Sequence, residues 1–210
     1  MLKLLKRKAL QNIKDNRKLY APLFAALILG SLAGGIAANF SPDSTAELFA
    51  DMTIFFSAYS LTGADVFAVF TLAAISNIQV IFLIFLCGFL VYTVPLIFVW
   101  VGSFGFRIGF ATVFFVGSYG LGGVLLAALM VWLPSLIFLP IVLNFSMKTI
   151  QTSGNIRQSR SGTRAKSVLR NFYANHFREF LFFSSLAILC GAVEAFVLPV
   201  VLRPVIGFFL

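Results

Sequence analysis

Few residues in this 210-residue chain could do chemistry. A catalyst needs a nucleophile with a base, a carboxylate pair or a set of metal ligands. The single histidine, His176, sits beside Arg178 and Glu179 in a basic stretch, where the expectation is a solvated or interface-bound side chain. One histidine without cysteine or acid neighbours makes no zinc site. Cys87 and Cys190 fall inside apolar runs and read as small hydrophobes. Ser31, Ser103, Ser184 and Ser185 have no intramembrane histidine to activate them, and the glycine runs lack a P-loop lysine. The expectation is a protein that is not an enzyme and takes no cofactor and no metal.

Arg107 and Glu194 are different, because both lie inside long apolar runs. Ionisable groups at membrane depth are functional or structural candidates by default. Their setting is lipid: the chain is 60% hydrophobic, contains 26 Phe and is only 11% charged. So few charges cannot cover a water-facing surface, and a mean hydropathy of +0.99 agrees. The same composition excludes intrinsic disorder.

A hydrocarbon core of ~30 Å needs about twenty apolar residues of helix. Five runs fit: 19–40, 76–94, 95–117, 122–147 and 180–202. The fold class is therefore all-α, a single polytopic membrane domain. Ser41-Pro42 stops the first run, Pro95 divides the second from the third, and the glycine-rich stretch from Gly117 to Gly123 divides the third from the fourth. The first run suits an anchor better than a cleavable signal.

Lysines and arginines give the orientation. Residues 1–18 carry Lys3, Lys6, Arg7, Lys8, Lys14, Arg17 and Lys18, and residues 148–179 carry Lys148, Arg157, Arg160, Arg164, Lys166, Arg170 and Arg178, fourteen of the sixteen basic residues. Residues 41–75 hold Asp43, Glu47, Asp51 and Asp65 and no Lys or Arg. The reading is N-terminus in, C-terminus out, with 148–179 a basic cytoplasmic loop and 41–75 extracytoplasmic. Most of the net charge of +9 is thus a topology signal. Nucleic acid is not an expected partner, because the charges hug span ends and no base-reading motif accompanies them.

Two segments outside the spans have helical spacing of their own. Leu4, Leu5, Ala9 and Ile13 among lysines read as a basic amphipathic helix on anionic membrane lipids. Ser44 and Glu47 make a capping-box spacing ahead of Phe49, Met52, Phe55 and Phe56, a candidate partner-contact surface.

At 1.5 Å per residue, Arg107 lies ~18 Å and Glu194 ~21 Å from the cytoplasmic face. Two readings stand: an intramembrane ion pair between them, or separate satisfaction, Arg107 by snorkelling and Glu194 by protonation. Gly30 with Gly34, and Gly105 with Gly109, have the G-x-x-x-G spacing that lets helices approach closely in lipid. Asn77, Gln79 and Asn144 read as span-end interhelical hydrogen-bond formers.

Asn77 heads an apolar helix; Val94-Pro95-Leu96-Ile97-Phe98 and Gly105-Phe106-Arg107-Ile108-Gly109-Phe110 follow, then Gly120-Leu121-Gly122-Gly123 and Leu133-Pro134 through Pro140. With Glu194-Ala195-Phe196-Val197-Leu198-Pro199 and the opening Asn16-Arg17-Lys18-Leu19-Tyr20, this order of motifs resembles the stage II sporulation protein M family. Ser135 and Leu136 depart from the family pattern, which has a glutamine or similar and then an asparagine. The resemblance implies a non-catalytic scaffold in the mother-cell membrane at the sporulation septum. It also implies action with stage II sporulation proteins P and D, which are cell-wall hydrolases, in septal thinning and engulfment. The competing expectation is a transporter or permease subunit, and the sequence allows a homo-oligomer.

Overall fold

Apolar residues without water to bond their backbones must satisfy each N–H and C=O within the segment, which leaves helix as the economical solution. The computed structural model describes residues 17–40, 66–89, 93–159 and 165–206, and among the described residues every element is helical. The order is α1 (Arg17–Phe40), α2 (Val66–Phe89), α3 (Val94–Ala127), a π-helical turn (Ala128–Trp132), α4 (Leu133–Ser159) and α5 (Ala165–Ile206). Among the described residues, four stretches are long and apolar enough to cross a membrane: Leu19–Phe40, Val66–Phe89, Val94–Ile156 and Arg170–Val197.

The 63-residue stretch from Val94 to Ile156 contains a reversal. Gly120 has φ 58° and ψ −133°, close to the first central position of a type II′ turn and open to glycine. A Cβ on Gly123 would overlap the carbonyl of Phe115, eight residues earlier, and Trp132 Nε1 donates to Thr112 Oγ1 at 3.0 Å across twenty residues. The chain therefore doubles back at Gly120. The π turn that follows ends just before Pro134, whose ring denies the carbonyl four residues back its ordinary donor.

Two helix pairs are packed most closely. In the first, α1 lies on α3 with glycines on both sides of the seam. A Cβ at Gly30 would overlap the backbone of Gly102, at Gly34 that of Phe106, at Gly105 that of Leu27 and at Gly109 that of Ser31. In the second, α2 lies on α5, where a Cβ on Gly191 would be 2.9 Å from the backbone nitrogen of Ala74. The inward half of α4 joins the pairs. Phe138, Val142, Phe145 and Met147 are buried with Leu23 of α1, Ile81 and Ile84 of α2, Ile97 and Val101 of α3, and Ala187 and Cys190 of α5.

Several expected boundaries move. The second helix begins at Val66, ten residues before the expected 76, so Gln79 lies inside it, thirteen residues after its start. The reversal at Gly120 falls between the third and fourth expected runs, 95–117 and 122–147, and the helix of the fourth reaches Ser159. Much of the expected loop 148–179 is helix: α4 ends at Ser159 and α5 starts at Ala165, fifteen residues before the expected 180. Polar residues do not end helices whose backbones are already paired internally, which is why a composition shift misplaced these ends. Residues 1–16, with the expected amphipathic helix, and 41–65, with Ser44, Glu47, Phe49, Met52, Phe55 and Phe56, lie outside the described residues.

The glycine seam gives a test. Gly34→Leu or Gly109→Leu should destabilise the protein by on the order of 1–3 kcal/mol or abolish its accumulation, because backbone cannot yield as a side chain can. Gly154→Ala, at an exposed helical position with no atom within 4 Å of the added carbon, should be neutral or stabilising by up to ~1 kcal/mol. Thermal unfolding in mild detergent distinguishes them.

Candidate functional site: a polar cavity between the helix pairs

Packing α3 on α1 through Gly105 and Gly109 fixes where Arg107 points. Residue 107 is two positions from each glycine, about 200° around the helix, and so leaves the α1 seam on the opposite side. There it meets α2. Arg107 Nη2 donates to Ser76 Oγ at 3.3 Å, and the next residue, Asn77, donates from Nδ2 to Glu194 Oε1 at 3.4 Å. Cys190 Sγ, one turn back on α5, lies 3.6 Å from the same carboxylate oxygen.

These groups line a cavity of about 280 Å³ bounded by α2, α3, the π turn, α4 and α5. Its polar lining is Ser76, Asn77, Arg107, Ser135 and Glu194, and Phe104, Ile108, Met130, Val131 and Phe138 supply apolar wall. Arg107 is exposed, Glu194 half-buried and Asn77 buried. Arg107 lies thirteen residues after the start of α3 and thirteen before Gly120, so it stands ~20 Å from both the start of α3 and the reversal.

The two expected partners thus face one cavity without a direct ion pair. Consecutive residues of α2 separate them, Ser76 accepting from the guanidinium and Asn77 donating to the carboxylate. The ion pair among the described residues is Lys148 Nζ to Glu179 Oε1 at 2.8 Å, joining α4 to α5, with Lys148 also 5.6 Å from the centre of the Phe183 ring. Asn144 makes an interhelical bond, accepting from Tyr20 Oη at 2.6 Å while its amide donates to Pro140 O at 2.7 Å.

His176 is a correction. It is 1% exposed, not solvated, and its Nε2 lies 3.2 Å from the carbonyl of Phe85. Its ring stacks on Phe145 at 5.9 Å and 5° and on Phe85 at 5.0 Å and 21°. Gly88 leaves the room, since a Cβ there would collide with the imidazole. The signal was present: His176, Phe180, Phe183, Ala187, Cys190 and Glu194 recur every three or four residues, so the inward face of α5 extends upstream of Phe180. Cys87 and Cys190 are buried free thiols. Ser103 and Ser185 donate to carbonyls of their own helices, at 2.9 Å and 2.7 Å. Among the described residues no three His, Cys, Asp or Glu side chains group to hold a metal.

A family model described as stage II sporulation protein M matches residues 23–199, from α1 to the last turns of α5 that the cavity uses. The chain belongs to the stage II sporulation protein M family. Membership makes it a sporulation-related protein, and the four long apolar stretches among the described residues make it a membrane protein. The matched span takes in the glycine seam, the Gly120 reversal and every residue lining the cavity. No curated protein and no solved structure matches the chain.

The arrangement at Glu194 predicts different costs for isosteric and apolar replacement. Glu194→Gln should be nearly neutral, because an amide oxygen still accepts from Asn77. Glu194→Leu should cost on the order of 1–3 kcal/mol by leaving the Asn77 amide buried and unpaired. Thermal unfolding in detergent decides, and the double change Asn77→Leu with Glu194→Leu should recover part of the loss.

Proposed function

We propose that this family member is a non-catalytic membrane scaffold that recruits or organises peptidoglycan hydrolases at the sporulation septum for wall thinning and forespore engulfment. The observation that carries the reading is the family match over residues 23–199. Partners are stage II sporulation proteins P and D, the place is the mother-cell membrane, and single-span anchors of the hydrolases dock on the bundle. The wide exposed apolar face of α1, with Ile28, Leu29, Leu32 and Ile36, suits such anchors.

The reading includes five crossings, N-terminus in and C-terminus out. In its support, a straight helix from Val94 to Ile156 would be ~95 Å long, three times a hydrocarbon core, and the Gly120 reversal divides it. The two basic clusters then fall on one side, as short cytoplasmic segments require. A transporter or permease subunit is the second reading, and the polar cavity at Arg107 and Glu194 is what favours it.

Two measurements test these readings. In a variant lacking the native cysteines, an impermeant thiol reagent should label Thr62→Cys and Ser118→Cys from outside but not Ala9→Cys or Ser161→Cys. Labelling of position 161 without position 118 overturns the five-crossing order. Purification from sporulating cells in mild detergent should bring the two hydrolases with the protein, and deleting residues 49–56 should reduce their recovery several-fold. Solute flux in vesicles with no hydrolase recovered would instead favour the transporter.

A further inference from the structure

From residue 69 to the end of α2, the exposed positions are Leu72, Ile75, Gln79, Phe82, Leu86 and Phe89. Their spacing of three, four, three, four and three residues makes one straight stripe along the helix. The opposite stripe, Ala74, Asn77, Ile81, Ile84 and Gly88, is buried in the bundle. An apolar outward stripe alone means only that a helix faces lipid. The exception is Gln79, a primary amide at the middle of the stripe.

Gln79 stands thirteen residues from the start of α2 and ten from its end, so the surroundings at its depth are hydrocarbon. It is exposed and has no hydrogen-bond partner among the described residues. Its neighbours Ser76 and Asn77 are both engaged, with Arg107 and Glu194 respectively. An amide left bare in hydrocarbon is costly, and Asn and Gln in membrane helices are satisfied by bonds to another helix.

We infer that the Leu72–Gln79–Leu86 stripe of α2 is a self-association face, on which two copies of this chain pack about a two-fold axis with their Gln79 amides hydrogen-bonded to each other. Three features select a second copy as the occupant. A carboxamide carries both a donor and an acceptor, so it complements itself without adding charge to the membrane. Copies inserted the same way place residue 79 at the same depth automatically, whereas a foreign helix needs a polar group matched in height. Leu72 and Ile75 on one side of Gln79, and Phe82 and Leu86 on the other, give the apolar flanks that a heptad seam with one central polar position uses to fix register. The inference goes beyond the scaffold reading and is independent of it, since it concerns the isolated protein.

The test uses the full chain in lipid vesicles, with Cys87 and Cys190 replaced by Ala and single cysteines introduced. Oxidative cross-linking should give homodimers from Ile75→Cys, Gln79→Cys and Phe82→Cys, and none from Ala74→Cys or Ile78→Cys. In the chain with its native cysteines, Gln79→Leu should weaken self-association about three- to twentyfold by resonance energy transfer at fixed protein-to-lipid ratio, and Gln79→Asn should retain most of it. Equal association of Gln79→Leu and the native chain, or cross-links without the three-and-four spacing, overturns the inference. So does a protein that stays monomeric in vesicles yet couples through position 79 to an added partner helix.

Discussion

Two backbones in contact set the positions of everything else in this protein. At Gly30 and Gly34 of α1 and at Gly105 and Gly109 of α3, the facing backbone leaves no room for a side chain. In lipid, where no hydrophobic effect drives helices together, contact this close recovers dispersion along the whole seam and fixes the rotation of both helices. Rotation is the important part. With the glycine edge of α3 committed to α1, Arg107 can leave the helix only toward α2, and the cavity forms where it arrives.

The polar groups at that depth are linked through one turn of α2. Ser76 and Asn77 are adjacent, yet one serves the cation and the other the acid. A direct ion pair would have tied α3 to α5 while leaving both charges to lose their hydration together. Here each charge has a neutral partner on α2 and retains an open side toward the cavity. The same principle recurs farther along α4, where Tyr20, Asn144 and the carbonyl of Pro140 form a short chain that joins α1 to α4 without formal charge.

Much of this was legible in the residues. The glycine spacings named the seam, the matching depths of Arg107 and Glu194 placed them at one level, Pro95 marked the start of α3 and the glycine-rich stretch marked the reversal. What escaped was the length of the helices and the inward role of His176. Span ends inferred from charge describe where lipid stops, whereas a helix whose backbone is paired internally runs on past them; Ala165 to Phe180 is such an extension. Ser76 and Asn77 could not be recognised as the bridge, because knowing which polar residue answers which charge requires the rotation that the glycine seam imposes.

The reversal at Gly120 bears on how the chain is made. From Gly117 to Gly123 there is no charged residue and no extended polar loop. On the five-crossing reading, the two helices it joins enter the bilayer as a closed hairpin, and carrying that turn across removes no ionised group from water. Neither helix then needs a sidedness signal of its own. On that reading the decision is made by the basic residues at the two flanks, and α3 and α4 follow it as a single inserted unit.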